Sequence, residues 1–275
     1  MSRVGAVIRS VRGKSGSMSH NVLILVTGVL IGFLSGLFGV GGSSIATPVL
    51  RLLGVPRLVA LGSPLPLTLP TAVVGGVTYW RRGLVNGWAV LWTALGGVPA
   101  VVVGAYLTTV VPGRVLMALT GLFVAAVGVR VLCKPGEAPT TGVRRTCPAW
   151  LLAVLGVGIG VLSGLLANGG GFLLVPTYLL LCRLSPQEAA ATSLVGVGLL
   201  ACPGTCVHWQ LGHIDFGLVV LLALGATPST YLGARVGVSL SRQRARWLFG
   251  MFLLLFGLFF LLRTVYRAEV YGWLG

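Results

Sequence analysis

Acidic residues are scarce in this sequence, and charged residues of either sign are few. The 275 residues include four Asp and Glu against 20 Lys and Arg, and charged residues make up 9% of the chain. A soluble domain carries roughly 25% charged residues, so the composition excludes a water-soluble fold. The charge-free stretches are long and continuously apolar, and they cover residues 15–50, 58–80, 83–113, 115–129, 146–182, 189–214, 216–234 and 247–262. Most approach the ~20 residues that a helix needs to cross a bilayer, which predicts an all-α polytopic membrane protein.

The few chemically active side chains exclude further classes of function. The five cysteines are scattered without a CxxC pair, and the acids lie at the edges of apolar runs or in loops, at Glu137, Glu188, Asp215 and Glu269. We therefore expect no metal, no cofactor and no catalytic residues, since a membrane phosphatase would need buried carboxylates or a His–Asp pair. The net charge of +16 lies mostly between the apolar runs, where basic residues bind lipid headgroups rather than nucleic acid. His208, at the end of a run, is the candidate for a proton carrier.

The sequence contains an internal duplication. Residues 28–48 read GVLIGFLSGLFGVGGSSIATP and residues 156–176 read GVGIGVLSGLLANGGGFLLVP, with about half of the positions identical. The correspondence continues with one residue inserted, and it pairs Trp80 with Trp209. The chain therefore divides into a basic leader (1–21), a first transmembrane repeat (22–133), a linker (134–148), a second transmembrane repeat (149–264) and a tail (265–275).

Each repeat begins with a long apolar run that is interrupted by Gly-Gly and then by Pro, and three further runs follow. The runs cover 22–41 with 43–53, 58–80, 87–110 and 114–132 in the first repeat, and 149–168 with 171–183, 187–207, 216–238 and 245–264 in the second. Glycine and proline break helices, and backbone groups that are freed inside a bilayer must face protein or a water-filled cavity. Matched interruptions in two repeats point to a transporter binding site. We expect about 8–10 membrane segments and inverted repeats, because duplicated carriers with broken helices are usually inverted.

The two interruptions, at 39–44 and 167–172, each allow a half-helix to begin there, and its N-terminal N–H groups would attract an anion. The predicted substrate-binding residues at this level are Gly41, Gly42, Ser43, Ser44, Asn168, Gly169, Gly170 and Gly171. Hydroxyls at the start of the next run are predicted to face the same cavity, at Ser63, Thr192 and Ser193. Two alternatives stay open: the glycines serve only close helix packing, and the hydroxyls bond back to carbonyls of their own helix.

The doubled signature, IGFLSGLFGVGGSSIATPVL and IGVLSGLLANGGGFLLVPTYL, resembles the TauE/SafE family of sulfite exporters, in the toluene sulfonate uptake permease group. The resemblance extends over about 22–264, and it includes the AATSL segment at 190–194 and the PxxxxGA motifs at 99–105 and 228–234. It implies transport of sulfite, sulfonates or related organosulfur anions across the inner membrane of a prokaryote, without ATP hydrolysis. By position, the resemblance places the site at 41–44, 169–172 and 192–193.

This sequence departs from the family pattern where Ser43 and Ser44 replace further glycines, so the two half-sites are not expected to be symmetric. Pro64 and Pro66 likewise stand where the second repeat has other residues. The predicted function is export of a small sulfur-containing anion by a multi-pass protein whose partners are that anion and membrane lipids; the glycine-rich faces are compatible with a homodimer. The alternative is a channel or carrier for another small anionic or neutral solute.

Overall fold

The computed structural model describes residues 18–108 and 147–272, with single positions between 122 and 133. These parts of the chain are helical, without strands. The helices are α1 (Met18–Phe38), α2 (Gly42–Leu52), α3 (Arg57–Gly62), α4 (Pro64–Trp80), α5 (Gly87–Leu107), α6 (Ala149–Leu166), α7 (Gly171–Leu180), α8 (Pro186–Gln210), α9 (Phe216–Ser239) and α10 (Arg242–Gly272). Most of the predicted leader and linker, and most of the predicted run 114–132, lie outside the described residues.

Six helical segments in the described part are long and apolar enough to cross a membrane. They are Asn21–Phe38, Leu58–Trp80, Gly87–Leu107, Ala149–Leu166, Pro186–Gln210 and Phe216–Ser239. A shorter apolar helix, Gly171–Leu180, lies between them. The predicted all-helical, multi-pass membrane class is therefore confirmed.

The interruptions predicted in each repeat lie at the glycines and not at the prolines. The chain breaks between α1 and α2, and between α6 and α7, where Gly41 and Gly170 adopt the left-handed φ values of 79° and 73° that glycine tolerates. Helix α7 continues through Pro176, and α8 continues through Pro203. In the first repeat α3 and α4 meet at Ser63, whose φ and ψ of −61° and −30° are helical, so the two form one apolar segment, Leu58–Trp80, in the place that α8 holds in the second repeat.

The first helix of each repeat packs against the third long helix of the other repeat. Helix α1 contacts α9, and α5 contacts α6. On α1, a Cβ at Gly28, Gly32 or Gly36 would overlap the backbone at Leu222, Ala226 and Thr230 of α9, respectively. The two sets of numbers rise together, so α1 and α9 run in the same direction at close backbone approach. Glycines at intervals of four residues permit this approach, and α6 uses Gly156, Gly160 and Gly164 against α5 in the same way.

Helices α4 and α8 cross at the centre of the described structure. Leu65 lies beside Gly204, Ala72 beside Gly198, and Gly75 beside Leu194. These pairs run in opposite directions along the chain, so the second long helices of the two repeats are antiparallel where they touch. Both helices are more than half buried, which places them inside the shell formed by the other helices.

Candidate functional site

The two glycine breaks lie in direct contact with each other. A Cβ at Gly171, the first residue of α7, would overlap the backbone carbonyl of Val40 in the first break. The Ser44 hydroxyl donates a buried hydrogen bond of 3.1 Å to the carbonyl oxygen of Asn168 in the second break. The structure thus brings together the residues that the sequence predicted in two separate segments, 41–44 and 168–171.

The crossing of α4 and α8 lies beside this contact. Cβ positions at Gly41 and at Gly169 would both lie near the side chains of Thr68 on α4 and Val197 on α8. Thr68 and Val197 hold equivalent positions in the two repeats, as do Gly41 and Gly169. The two glycine breaks and the helices α4 and α8, one break and one helix from each repeat, therefore meet at one buried point.

Two helix N-termini begin at this point without side-chain caps. Helices α2 and α7 start after Gly41 and Gly170, and no side chain caps the first turn of either helix. Just before α7, the Asn168 side-chain oxygen accepts the backbone N–H of Gly170 at 3.1 Å. The first N–H groups of a helix have no intrahelical acceptor and carry a positive partial charge. Ser43, in the first turn of α2, is fully buried, and its hydroxyl has no hydrogen-bond partner in the described part of the structure. The breaks therefore supply donors that match an oxyanion.

The Ser193 hydroxyl joins the two breaks. It donates to the carbonyl of Gly39 at 2.9 Å, and it lies 3.3 Å from the carbonyl of Gly171. A predicted binding hydroxyl thus holds together the backbone segments that form the candidate site. Contact between Ser193 and a substrate stays a prediction.

The hydroxyls of Ser63 and Thr192 make a second pair of ties between the repeats. Ser63 Oγ accepts the backbone N–H of Asp215 at 2.9 Å, and Thr192 Oγ1 accepts that of Asn86 at 3.0 Å. Asp215 and Asn86 are the N-cap residues of α9 and α5. Each tie therefore fixes the start of a long helix of the opposite repeat, and binding of substrate by either hydroxyl stays a prediction.

Two further serines near the breaks were not among the predicted site residues. Ser35 and Ser163 hold equivalent positions in α1 and α6, and both hydroxyls are buried without a partner in the described residues. Ser163 lies beside Gly170, since a Cβ at Gly170 would be 3.5 Å from its Oγ. The sequence carried a signal for them, because each is a lone serine kept at the same place in two otherwise apolar runs.

Tyr79 and His208 hold the C-terminal ends of α1 and α6. The Tyr79 hydroxyl donates to the Gly36 carbonyl at 2.8 Å, and His208 Nε2 lies 3.4 Å from the Gly164 carbonyl. His208 Nδ1 lies 3.1 Å from His213 Nδ1, so one ring donates and the other accepts. Burial lowers the pKa of His213, which lies in the turn after α8. The predicted candidate proton carrier is thus one half of a histidine pair.

Among the side chains that the structure describes, no buried polar one carries a fixed charge. The buried polar side chains are those of Ser, Thr and Tyr, together with Asn168 and His208. None of them is Arg, Lys, Asp or Glu. Arg51 lies in the last turn of α2, away from its N-terminus, and donates to the Val55 carbonyl at 3.0 Å. The groups that the candidate site presents are therefore dipoles and hydrogen-bond donors.

Comparisons with known proteins all point to one family of membrane transport proteins. The family described as "Sulfite exporter TauE/SafE" matches residues 24–260. The "Probable membrane transporter protein YunE" of Bacillus subtilis (strain 168) is 26% identical over 246 residues, 81% of this chain and 89% of that protein. A second Bacillus subtilis (strain 168) protein, "Probable membrane transporter protein YjnA", is 23% identical over 86% of this chain and 98% of its own length. A "Probable membrane transporter protein" of Xylella fastidiosa (strain 9a5c) is 26% identical over 88% and 95% of the two chains.

No solved structure matches the chain. The family match covers the repeats, the breaks and the crossing of α4 with α8. This chain belongs to the sulfite exporter TauE/SafE family and is a multi-pass membrane transport protein.

Proposed function

We propose that this protein is a carrier that exports a small sulfur-containing anion, such as sulfite, a sulfonate or a related organosulfur anion, across the inner membrane of a prokaryote. The observation that carries the proposal is the contact between the two uncapped helix starts, with the unpartnered Ser43 hydroxyl buried beside them. The anion binds where α2 and α7 begin, and membrane lipids surround the exposed apolar faces. A homodimer stays a prediction.

An oxyanion is the ligand that this set of groups favours. Backbone N–H groups at helix starts can only donate hydrogen bonds, and negative charge is stabilised at that end of a helix. The buried polar side chains of the described part include no carboxylate that would coordinate a cation. The family description names sulfite, whose oxygens are all acceptors.

The two repeats are inverted with respect to each other. Support comes from α4 and α8, which hold the same place in the two repeats and run antiparallel where they cross. A two-fold axis that relates antiparallel membrane helices lies in the membrane plane, and in inverted-repeat transporters the substrate site lies near the midplane at the repeat interface. We therefore assign the substrate site to the contact between the breaks, beside this crossing.

Export of an anion needs no coupling ion. With the cell interior negative, each exported negative charge gains about 2.3 kcal/mol per 100 mV. This electrical term agrees with a buried polar set that, in the described residues, includes no acidic side chain for proton or cation coupling.

A carrier or channel for another small anionic or neutral solute is the second candidate. The observation that favours it is the lack of a buried cationic side chain in the described segments, because a neutral solute would enter without the cost of desolvating a charge. Flux that saturates with concentration supports a carrier, whereas flux that stays linear supports a pore.

The experiment is flux of radiolabelled sulfite, methanesulfonate and sulfate, and of the neutral solute glycerol, into liposomes that contain the purified protein, with an imposed membrane potential. Ser43→Ala removes the unpartnered hydroxyl, and Ser239→Ala is the control, since Ser239 is exposed and bonds to Val236 of its own helix. A hydrogen bond to a charged group contributes about 1.5–3 kcal/mol, so Ser43→Ala is expected to weaken apparent affinity about tenfold or more. Saturable flux of a neutral solute only, or an unchanged Ser43→Ala variant, would contradict the proposal.

A further inference from the structure

Two histidines form a pair at the C-terminal end of α6, next to the second glycine break. His208, near the end of α8, is fully buried, and its Nε2 lies 3.4 Å from the carbonyl oxygen of Gly164. Its Nδ1 lies 3.1 Å from Nδ1 of His213, in the turn that follows α8. The pair therefore joins the end of α6 to this turn.

The hydrogen bonds determine where the hydrogens of the pair lie. A carbonyl oxygen can only accept, so Nε2 of His208 carries a hydrogen, and Nδ1 of the same neutral ring is then an acceptor. The hydrogen between the two rings consequently belongs to Nδ1 of His213. A further proton can bind only to Nε2 of His213 while the pair is intact, and it makes this half-buried ring a cation beside the fully buried His208.

The first repeat fills the same place with residues that do not titrate near neutral pH. Tyr79 and Leu84 correspond to His208 and His213 in the register of the duplication. The Tyr79 hydroxyl donates to the Gly36 carbonyl at 2.8 Å, and Leu84 packs against the group of side chains that contains Tyr79. The two turns also share a backbone hydrogen bond, from Leu84 to Tyr79 and from His213 to His208. The fold therefore does not require histidine at this place.

The histidine tie acts on the chain close to the second break. The Gly164 carbonyl, which His208 contacts, also accepts the backbone N–H of Ala167 at 3.3 Å. Ala167 has a φ of 48°, a conformation that residues with a Cβ rarely adopt. The next residue, Asn168, accepts the Ser44 hydroxyl from the first break. Loss of the histidine contact would therefore loosen the last turn of α6 where the two breaks meet.

Protonation weakens the pair because it places a charge on a ring that is partly shielded from water. Burial lowers the pKa of His213. Such a group binds a proton more tightly in any conformation in which it is hydrated, so protonation shifts the population towards that conformation. The tie is thus complete above the ordinary histidine pKa near 6.5, and it weakens as the pH falls.

Few other ionisable groups lie on the elements around the pair. Asp215, two residues after His213, uses its carboxylate to cap α9, through the N–H groups of Gly217 and Leu218. The backbone of His213 lies against Gly62 at the end of α3, and α6 has no ionisable side chain. The remaining groups on the surrounding segments are Arg57 of α3, and the exposed Tyr106 of α5 and Cys202 and Cys206 of α8. Burial, rather than an ion pair, therefore governs the protonation of His213.

We propose that the His208–His213 pair is a proton-binding site that controls the opening of the second glycine break. The antiparallel α4 and α8 place Tyr79 and His208 at opposite ends of their crossing, so only one end of the transport path responds to pH. The consequence for transport rests on the proposed function, in which the breaks bind the anion. A bound proton releases the end of α6 and opens the anion site at that end, whereas the tyrosine tie at the other end does not change near neutral pH.

The first experiment is hydrogen–deuterium exchange of the full-length purified protein at pH 7.5 and 5.5, corrected for the intrinsic effect of pH on amide exchange. Exchange reports local opening, and residues 164–170 are compared with their counterparts, 36–42, in the same molecule. If the open ring has the ordinary pKa near 6.5, this change of pH raises the open population by at most about tenfold. We expect exchange in 164–170 to rise several-fold within this limit, and exchange in 36–42 to stay unchanged.

Three variants assign the response to the pair. His213→Leu removes the titratable partner, and the double variant His208→Tyr/His213→Leu installs the tie of the first repeat, so the test survives if the single variant fails to fold. His20→Gln is the control, since His20 is the remaining histidine of the chain. The pH response should vanish in the first two variants and persist in the control. A response that persists in the double variant, or that is equal in both segments, would overturn the proposal.

Flux of methanesulfonate into liposomes separates this proposal from the proposed function, because the charge of this anion does not change between the two pH values. Acidification should raise flux through the parent relative to the double variant, and an equal pH dependence in both would refute the control of transport. If anions are transported but 164–170 does not respond to pH, the proton site is refuted and the proposed function stands. If 164–170 responds and no anion is transported, the proton site stands and the proposed function fails.

Discussion

Replacing Gly171 by alanine tests whether the two breaks really touch. A Cβ at this position would overlap the Val40 carbonyl oxygen and would lie 2.7 Å from the Val197 side chain. Gly171 is the first residue of α7 and does not have a positive φ, so alanine meets no backbone strain of its own. The obstacle is backbone of the other repeat, which cannot rotate aside as a flexible side chain does.

The magnitude follows from the contact. Overpacking typically costs about 1–3 kcal/mol, and here the Cβ meets backbone, which places the expected loss in the upper part of that range. Gly158→Ala in α6 is the matched control, because a Cβ there has nothing within 4 Å. Alanine in a helix interior is favoured over glycine by roughly 0.5–1 kcal/mol, so the same substitution has the opposite sign thirteen residues away.

The assay is thermal unfolding of both variants in the same detergent, followed by flux in liposomes. For a chain of this size each kcal/mol shifts Tm by about 2–4 °C, so Gly171→Ala should melt several degrees lower and Gly158→Ala slightly higher than the parent. Flux through Gly171→Ala should also fall, whereas Gly158→Ala should transport normally. If Gly171→Ala melts with the parent and transports at its rate, the breaks are not in contact and the site described above is wrong.

Two further predictions concern the ends of the broken helices. Tyr79→Phe removes the donor to the Gly36 carbonyl in the last turn of α1. Leaving that buried acceptor unpaired should lower the free energy of unfolding by about 1–3 kcal/mol. Tyr231→Phe is the control, since Tyr231 lies at the exposed surface and its loss should not lower the free energy of unfolding. Burial lowers the pKa of His213 below its value in the unfolded chain. The unfolded chain therefore binds a proton more readily than the folded protein does. The contribution of this ring to stability is fully present above the unfolded pKa near 6.5, and it is lost as the pH falls. Tm should therefore fall as the pH is lowered from 7.5 towards 5, and a His213→Asn variant should lose part of that dependence; a Tm independent of pH would contradict the burial of this ring.

Sequence patterns predicted the helical class and the convergence of the breaks because both depend on local chemistry. Apolar runs of about 20 residues indicate helices that cross a membrane, and matched Gly-Gly interruptions in two repeats point to their interface. The pairing of α1 with α9 was not predicted. Its signal was present in Gly28, Gly32 and Gly36, whose four-residue spacing indicates close packing but does not name the partner helix.

The roles of the hydroxyls were harder to predict, for a physical reason. Ser63 and Thr192 have the same chemistry as Ser43, yet their oxygens accept backbone N–H groups of the opposite repeat, whereas the Ser43 hydroxyl is buried without a partner. Whether a hydroxyl is paired or free depends on contacts between residues that are far apart in the chain. Ser63 and Asp215 are 152 residues apart, and Thr192 and Asn86 are 106 residues apart. Composition and periodicity carry no information about such contacts, so the sequence could select the segments of the site but not the free donors within them.

The two repeats are not identical, and their differences matter for the expected kinetics of transport. Equivalent residues, such as Gly32 with Gly160 and Ser63 with Thr192, make corresponding backbone contacts or ties in the two repeats. With inverted repeats, strict identity would present the same route to both membrane faces. The second repeat has the buried Tyr178 where the first repeat has the buried Leu50, so the two routes are not equivalent. A passive carrier cannot take its direction from such an asymmetry, because the gradient and the membrane potential set the net flux. The asymmetry can only give the two faces unlike affinities, so the half-saturating concentration should differ between them while the equilibrium distribution of the anion stays unchanged.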